Sequence, residues 1–479
     1  MRAPFRSVVE IADGVRSGAL SAATVLEESL ATIDALNPVL NAFIALDAER
    51  ARHEAAAIDR RVADGEDPGP LAGVPFGVKD LEDLAGFATR RGSLLHADDP
   101  PAANDSVVVG RLRQAGAIAI GKTATPEYGM DSATWSKLTG VTRNPWNPAK
   151  TPGGSSGGSS AAVAAGMVPI ATATDGGGST REPAAFTGLV GLKPSHGRIP
   201  QENGFSLMAC KGALTRTVRD AARFLDIAAG PHDNDRTSLP AAGFVYENAI
   251  ETLHVDGMRA VFSRDHGYAP VDSEVADIAE RAADRLVEAA KLKRLARDFH
   301  PINPYPHWGA IAFVRMKKDF ERTGILPGKR HLLSEQCLHY LDMLEGARIE
   351  DTSDAEKALT ALTLQVADFF READLLMTPA TAIAPYAADA MIPSEIDGRD
   401  ARMSGVEPFG MLANVCWNPS ISIPAGLTSD GLPVGLQITA RRHADHVLLR
   451  LARIMEIAHP WSFPARFDWE RADARRHIG

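Results

Sequence analysis

The chain has 479 residues, of which 45% are hydrophobic and only 23% charged, enough apolar material for a large core. A net charge of −10, with no lysine or arginine cluster beyond a solvated helix face, excludes a nucleic-acid surface; RRHADH (441–446) and RRHIG (475–479) are short exceptions. No run of 18 apolar residues exists, MRAPFRSVVEIADG at the N-terminus lacks the apolar run of a signal peptide, and three cysteines make no disulfide framework, so the expected setting is the reducing cytoplasm, away from membranes.

Residues 18–36 and 45–64 read as two helices, stopped near Asn37-Pro38 and Gly65. GVPFGVKD (73–80) follows, an apolar approach that reads as a buried strand ending at Lys79. Neighbours on an extended strand point to opposite sides, so Asp80 is expected to turn away from Lys79. SVVVGRLRQAG (106–116) reads as a helix with a glycine stop, leading into the short buried strand AIAI. The formal P-loop pattern from Gly116 to Thr123 is therefore no phosphate cradle, because its variable residues are the strand itself.

TPGGSSGGSS (151–160) opens into SAAVAAGM, an alanine-rich stretch that reads as a helix. Gly153 to Gly157 also satisfies G-x-S-x-G, the elbow that would make Ser155 the nucleophile of a Ser-His-Asp esterase. That elbow needs a strand leading into it, and NPWNPAKTP has three prolines in nine positions. His196, His232, His254 and His300 stand in no local catalytic pattern. Next, ATDGGGSTR (173–181) offers four successive backbone N–H groups, of Gly176, Gly177, Gly178 and Ser179, with almost no side-chain bulk. Such a segment can curl around an oxygen. An amide carbonyl resists attack, so its hydrolysis needs an activated nucleophile, a proton path to the leaving nitrogen and donors for the oxyanion.

Residues 273–298 and 354–374 read as amphipathic helices, and HPINPYPHWGAIAF (300–313) between them as an irregular loop. Cys210, Cys337 and Cys416 lie far apart with no C-x-x-C pair, and H-E-x-x-H is absent. His443 and His446 sit at the start of a predicted helix, ADHVLLRLARIMEIA, where a solvated terminus explains them. Neither a metal nor a cofactor is expected.

Four segments together, GVPFGVKDLEDLAGFATRRGS (73–93), DSVVVGRLRQAGAIAIGKTATPEYG (105–129), TRNPWNPAKTPGGSSGGSSAAVAAG (142–166) and ATDGGGSTREPAAFTGLVGLKPSHGRIP (173–200), resemble the amidase signature family. NPSISIPAG (418–426) and GLPVGLQI (431–438) echo it more weakly. The resemblance implies an α/β fold, one large domain with a twisted mixed sheet flanked by α-helices, built here from residues 70–230 and 375–470. Within it, residues 1–66 would be N-terminal helices, 67–230 the catalytic core, 231–375 a variable, mostly helical region shaping the substrate pocket, and 376–479 the C-terminal part of the same domain.

The same resemblance implies a role for each residue of the site. Ser179 would be the nucleophile that becomes acylated, and Ser155 the relay that passes protons between it and Lys79. The N–H groups of Gly176, Gly177, Gly178 and Ser179 would hold the oxyanion, with Ser156, Asp175 and Arg181 as supports, and the Gly154–Ser155 peptide would be cis. Lys79 must then be desolvated, since a lysine at its ordinary pKa near 10.4 accepts no proton at neutral pH. Met130, Ser132, Trp308, Cys416 and Trp417 are candidates for the substrate pocket, with core packing as the rival reading of each.

Two departures stand out: DGGGSTR where many members have serine-aspartate-threonine-glycine-glycine-serine-isoleucine-arginine, and Thr180 and Glu182 where residues are often apolar. They lean away from the amidase-type subunit of a glutamine-dependent amidotransferase and toward a stand-alone amidohydrolase of a small amide, a cyclic amide or an acyl hydrazide. The esterase using Ser155 and a catalytically silent binding subunit remain the other readings. The partners expected are a small amide-like molecule and, as one option, a second copy of the chain.

Overall fold

The computed structural model describes residues 5–461 except 203–206, 345, 347 and 349, together with 463 and 467. The RRHIG run lies outside the described residues. Eleven strands form one mixed sheet. In chain order they are β1 (Phe43–Leu46), β2 (Pro75–Lys79), β3 (Ile118–Thr123), β4 (Ile170–Asp175), β5 (Val190–Lys193), β6 (Cys210–Thr215), β7 (Arg259–Phe262), β8 (Lys293–Arg294), β9 (Leu375–Pro379), β10 (Ser420–Leu427) and β11 (Pro433–Ala440). Across the sheet the order is β1-β3-β2-β4-β6-β5-β10-β11-β9-β7-β8. The trio β3-β2-β4 is parallel, the middle of the sheet antiparallel, and β9-β7-β8 parallel again. β2 and β3 are buried over their whole length, as their near-continuous apolar runs require for strands covered on both faces.

Helices α1 (Val8–Arg16), α2 (Ala22–Leu40) and α3 (Ala48–Ala63) form the N-terminal section. α4 (Val107–Gln114) precedes β3, and α5 (Gly157–Ala164) and α6 (Arg181–Thr187) flank β4 in sequence. α7 (Val218–Ala228), α8 (Tyr246–Thr252) and α9 (Ser273–Ala289) follow, then α10 (Tyr305–Arg322), α11 (Glu335–Met343), α12 (Asp351–Glu372), α13 (Gly410–Val415) and α14 (Asp445–Ala458). One core cluster runs from Val8 and Leu26 through Val78, Ile118 and Ile421 to Leu448. The fold is a single α/β domain. No helix among the described residues is long and apolar enough to cross a membrane.

The expected strand into Lys79, the α4–β3 unit in place of a P-loop, and the helix after Ser155 are all present. Other elements differ. α2 runs past Asn37-Pro38 and stops at Asn41, which takes the left-handed conformation at φ 49°, while the Asn37 side-chain carbonyl accepts from the N–H groups of Ala42 and Phe43. α1, unforeseen, is closed by a capping box between Ser7 and Glu10. Residues 305–313 are helical rather than irregular: Pro304 caps α10 and Pro306 sits in its first turn, where no N–H partner is needed. α9 ends at Ala289 rather than near 298, because the chain turns back to lay β8 beside β7. The sheet also takes strands from outside 70–230 and 375–470, namely β1 at one edge and β7 and β8 at the other.

Candidate active site

β2 delivers Lys79 to the interior. Its backbone N–H donates to Thr172 Oγ1 at 3.0 Å, and its Nζ lies 2.8 Å from each of Ser155 Oγ, Ser156 Oγ and Thr174 Oγ1. Lys79 is 0% exposed, and burial lowers its pKa to about 7 against the opposing pull of Glu82 and Asp175. A neutral amine has two hydrogens and one lone pair. The Ser156 hydroxyl sends its own hydrogen to the Thr174 carbonyl at 3.3 Å, so it accepts from Nζ. Thr174 Oγ1 can take the second hydrogen, which leaves the lone pair for the proton of Ser155.

Asp80 turns the other way, as strand alternation requires. Its carboxylate accepts from the N–H groups of Arg90 at 3.1 Å and Gly92 at 3.4 Å and faces Lys122 Nζ at 3.6 Å. Lys122, the lysine of the P-loop pattern, also bonds Thr89 Oγ1 at 3.1 Å and is buried in β3.

The Ser155 turn is pinned rather than loose. Thr134 Oγ1 donates to the Gly153 carbonyl at 2.8 Å, Thr125 Oγ1 donates to the Ser155 carbonyl at 3.0 Å, and the Gly154–Ser155 peptide is cis. Among the described residues no histidine bonds Ser155 Oγ. His196 is instead stacked on Trp417, ring centroids 4.3 Å apart, with its pKa lowered to about 4 by burial and Lys193. The elbow reading of Ser155 therefore has a lysine where it needs an imidazole.

Gly176 to Ser179 link β4 to α6. Burial works against ionisation of Asp175, yet Arg181 holds its carboxyl down at about 2, through bonds of 3.0 Å from Nε and 2.8 Å from Nη2. Arg181 reaches on to the Gly410 carbonyl (3.0 Å), Gln437 Oε1 (2.9 Å) and Asn414 Oδ1 (2.7 Å), and Asn414 Nδ2 returns to the Asp175 carbonyl at 2.8 Å. Thr180 N–H bonds Asp175 Oδ2 at 3.1 Å, and Trp308 Nε1 bonds the Gly176 carbonyl at 2.7 Å. A side chain at Gly178, where φ is +148°, would place Cβ 2.2 Å from Glu407 Oε2. The loop is thus held at both ends, and Glu407 packs directly against Gly178.

Ser155 and Ser179 open on one cavity of about 1260 Å³, and Met130, Ser132, Trp308, Cys416 and Trp417 all line it. Ser156 does not line it and sits beneath, on Lys79. An apolar part of the wall comes from α10 and α11, with Phe313, Met316, Phe320 and Tyr340. Among the described residues no cluster of histidine, cysteine and carboxylate side chains could hold a metal ion, and the three cysteines are buried and unpaired with one another. His443 precedes α14 and His446 rests on Phe244, ring centroids 5.0 Å apart.

Sequence reasoning missed Thr172 and Thr174, although their period-two spacing in ATATD, on a strand ending at the glycine loop, was a usable signal. It also missed Glu407, Asn414 and Gln437, which reach the loop from more than 200 positions away and carry no local pattern.

The sequence model of the family described as Amidase matches residues 24–449. The chain is 37% identical over 467 residues to an acylamidase of Rhodococcus erythropolis, covering 95% of this chain and 96% of that protein. It is 32% identical over 492 residues to one subunit of the glutamyl-tRNA(Gln) amidotransferase of Synechococcus sp. (strain RCC307), covering 96% and 98%. Among solved structures it is similar to a bacterial aryl acylamidase of the amidase signature enzymes, with 30% identity, a TM-score of 0.87, and 95% of this chain and 97% of that one covered.

Proposed function

The chain belongs to the amidase signature family, serine hydrolases of carbon–nitrogen bonds other than peptide bonds, and from that premise we propose that it cleaves amides through an acyl-enzyme on Ser179. Ser179 Oγ attacks the carbonyl carbon. Its proton passes to Ser155 Oγ, and the Ser155 proton passes to the neutral Nζ of Lys79. The N–H groups of residues 176–179 receive the oxyanion, each such donor contributing about 3 kcal/mol of transition-state stabilisation. As the C–N bond breaks, the relay runs backward and protonates the departing nitrogen. Water then cleaves the ester by the same route, and Ser179 regains its proton.

The observation that carries this reading is a fully buried lysine 2.8 Å from Ser155, with its pKa lowered by burial to about 7. Acyl groups with an aromatic or extended apolar portion suit the wall of Phe313, Met316 and Phe320. Similarity to an acylamidase and to an aryl acylamidase supports amides with a free-standing acyl group, and similarity to a 6-aminohexanoate-cyclic-dimer hydrolase keeps cyclic amides beside them. The amidotransferase component stands as the second reading because a relative of that kind covers nearly the whole chain. A net charge of −10 speaks against docking on tRNA, and hydrolysis of simple amides by the purified chain alone would dispose of it.

The test is covalent labelling with a small serine-reactive phosphonate and location of the label by tandem mass spectrometry. Trypsin leaves both serines between Lys150 and Arg181, so fragment ions must separate them. The expected result is a label on Ser179 that is lost in Lys79→Ala. A label on Ser155 that survives Lys79→Ala would overturn the relay.

A further inference from the structure

Glu182, one of the two departures near the nucleophile, is 0% exposed in the first turn of α6. Its backbone N–H donates to the Gly178 carbonyl at 2.8 Å. Its carboxyl accepts from Ser132 Oγ at 3.0 Å and faces the backbone N–H of Gly154, the residue before Ser155. Glu407 comes from the opposite side, lining the cavity and laying Oε2 against Gly178. Glu182 Oε1 and Glu407 Oε2 are both buried with no hydrogen-bond donor on either, and the two carboxyls are close enough to bond each other. Two carboxyl groups can do that only with a proton between them.

From this contact we propose that Glu182 and Glu407 share a single proton and form a positioning clamp that joins the Ser155 turn to the Ser179 loop, so that turnover fails at alkaline pH when that proton leaves. The proposal rests on the acyl-enzyme reading above. Burial raises both carboxyls above their ordinary range, Glu182 with further help from Glu407 and Glu407 from Asp175 and Asp131. The charged and titratable groups around the pair are Asp131, Asp175 and Arg181, with the hydroxyls of Tyr305, Tyr340 and Tyr386. Arg181 offsets part of this rise at Glu407, but its bonded carboxylate is Asp175, at 2.8 Å, which itself pushes Glu407 up. Fully ionised, the clamp would set two negative charges in hydrogen-bond contact beside Gly178. They would repel each other and oppose the oxyanion that this loop stabilises.

Glutamine in place of either glutamate supplies the bridging hydrogen from an amide that does not titrate in this range. The rate of Ser179 phosphonylation is therefore to be followed from about pH 6 to 10 in wild type, Glu182→Gln and Glu407→Gln, with saturation separating maximal rate from probe affinity. Wild type should lose at least about tenfold in maximal rate on the alkaline side, and both variants should move that loss upward by about one pH unit or more. A wild type with no alkaline loss, or variants that keep its midpoint, would overturn the clamp. If the variants do not fold, difference infrared spectroscopy of wild type decides: a protonated-carboxyl band present at neutral pH and lost with the same midpoint as the rate supports the clamp, and its absence at neutral pH defeats it. The infrared result holds whichever serine takes the label, so failure of the clamp and failure of the acyl-enzyme reading are told apart.

Discussion

At the residue scale Lys79, the base of the proposed relay, is buried at a cost to stability. An unfolded lysine titrates near 10.5, whereas burial brings Lys79 to about 7. Between those values the unfolded chain binds a proton that the folded chain does not, so folding stability rises with pH across the window and is lowest below it. Lys79→Met should flatten that slope, raise stability at pH 7 by roughly 3 kcal/mol in urea denaturation, and abolish phosphonylation of Ser179. Unchanged or lowered stability would mean that the three hydroxyls left behind cost as much as the buried amine did. Much at this scale was legible: Lys79, Ser155 and Ser179 each sit in a contiguous motif whose local composition already tells of a buried strand or a glycine-bounded turn. Glu407 was not, because its meaning lies in proximity to Gly178 and nothing around VEPFG announces it.

At the element scale the active loop depends on α13, which no motif linked to it. Gly410 begins this helix, and a Cβ there would lie 2.1 Å from the Gly177 carbonyl oxygen and 3.0 Å from Gly178 Cα. The clash is with backbone, so the loop itself must shift. Gly410→Ala should lower the maximal rate of Ser179 phosphonylation by about 100-fold, since small misplacements of catalytic groups cost that much, while probe affinity changes only a few-fold. A rate near wild type would mean that α13 yields instead of the loop. Elements set by short-range periodicity, such as α4, β2 and β3, were readable in advance. Those set by tertiary partners were not: β8 is a strand only because β7 lies beside it, and α10 begins among prolines that local rules read as a breaker.

For the whole molecule the strand order is decisive. β10 and β11, contributed after residue 400, insert between β5 and β9, so the sheet's centre is completed last. A chain ending at residue 375 would leave β5 with one neighbour instead of two, expose it as an unpaired edge, and cut β7 and β8 off from the rest of the sheet. It should show no cooperative thermal transition in calorimetry, whereas the full chain should unfold in one. A separate melting transition in the truncated chain would mean that residues 67–230 form an independent unit. That residues 70–230 and 375–470 share one sheet was expected from the family resemblance, whereas the order in which their strands interleave leaves no local signal in the sequence.

The proposed relay of Lys79, Ser155 and Ser179 hangs from β2, β4 and the turns beside them, whereas an apolar wall of the cavity is made by α10 and α11, which enter the chain more than 120 positions after Ser179. The two stretches meet at Trp308, where α10 bonds the Gly176 carbonyl at 2.7 Å. Drift in residues 305–343 can therefore redraw the range of acyl groups admitted while leaving the loop before Ser179 in place, provided that the indole at 308 is kept.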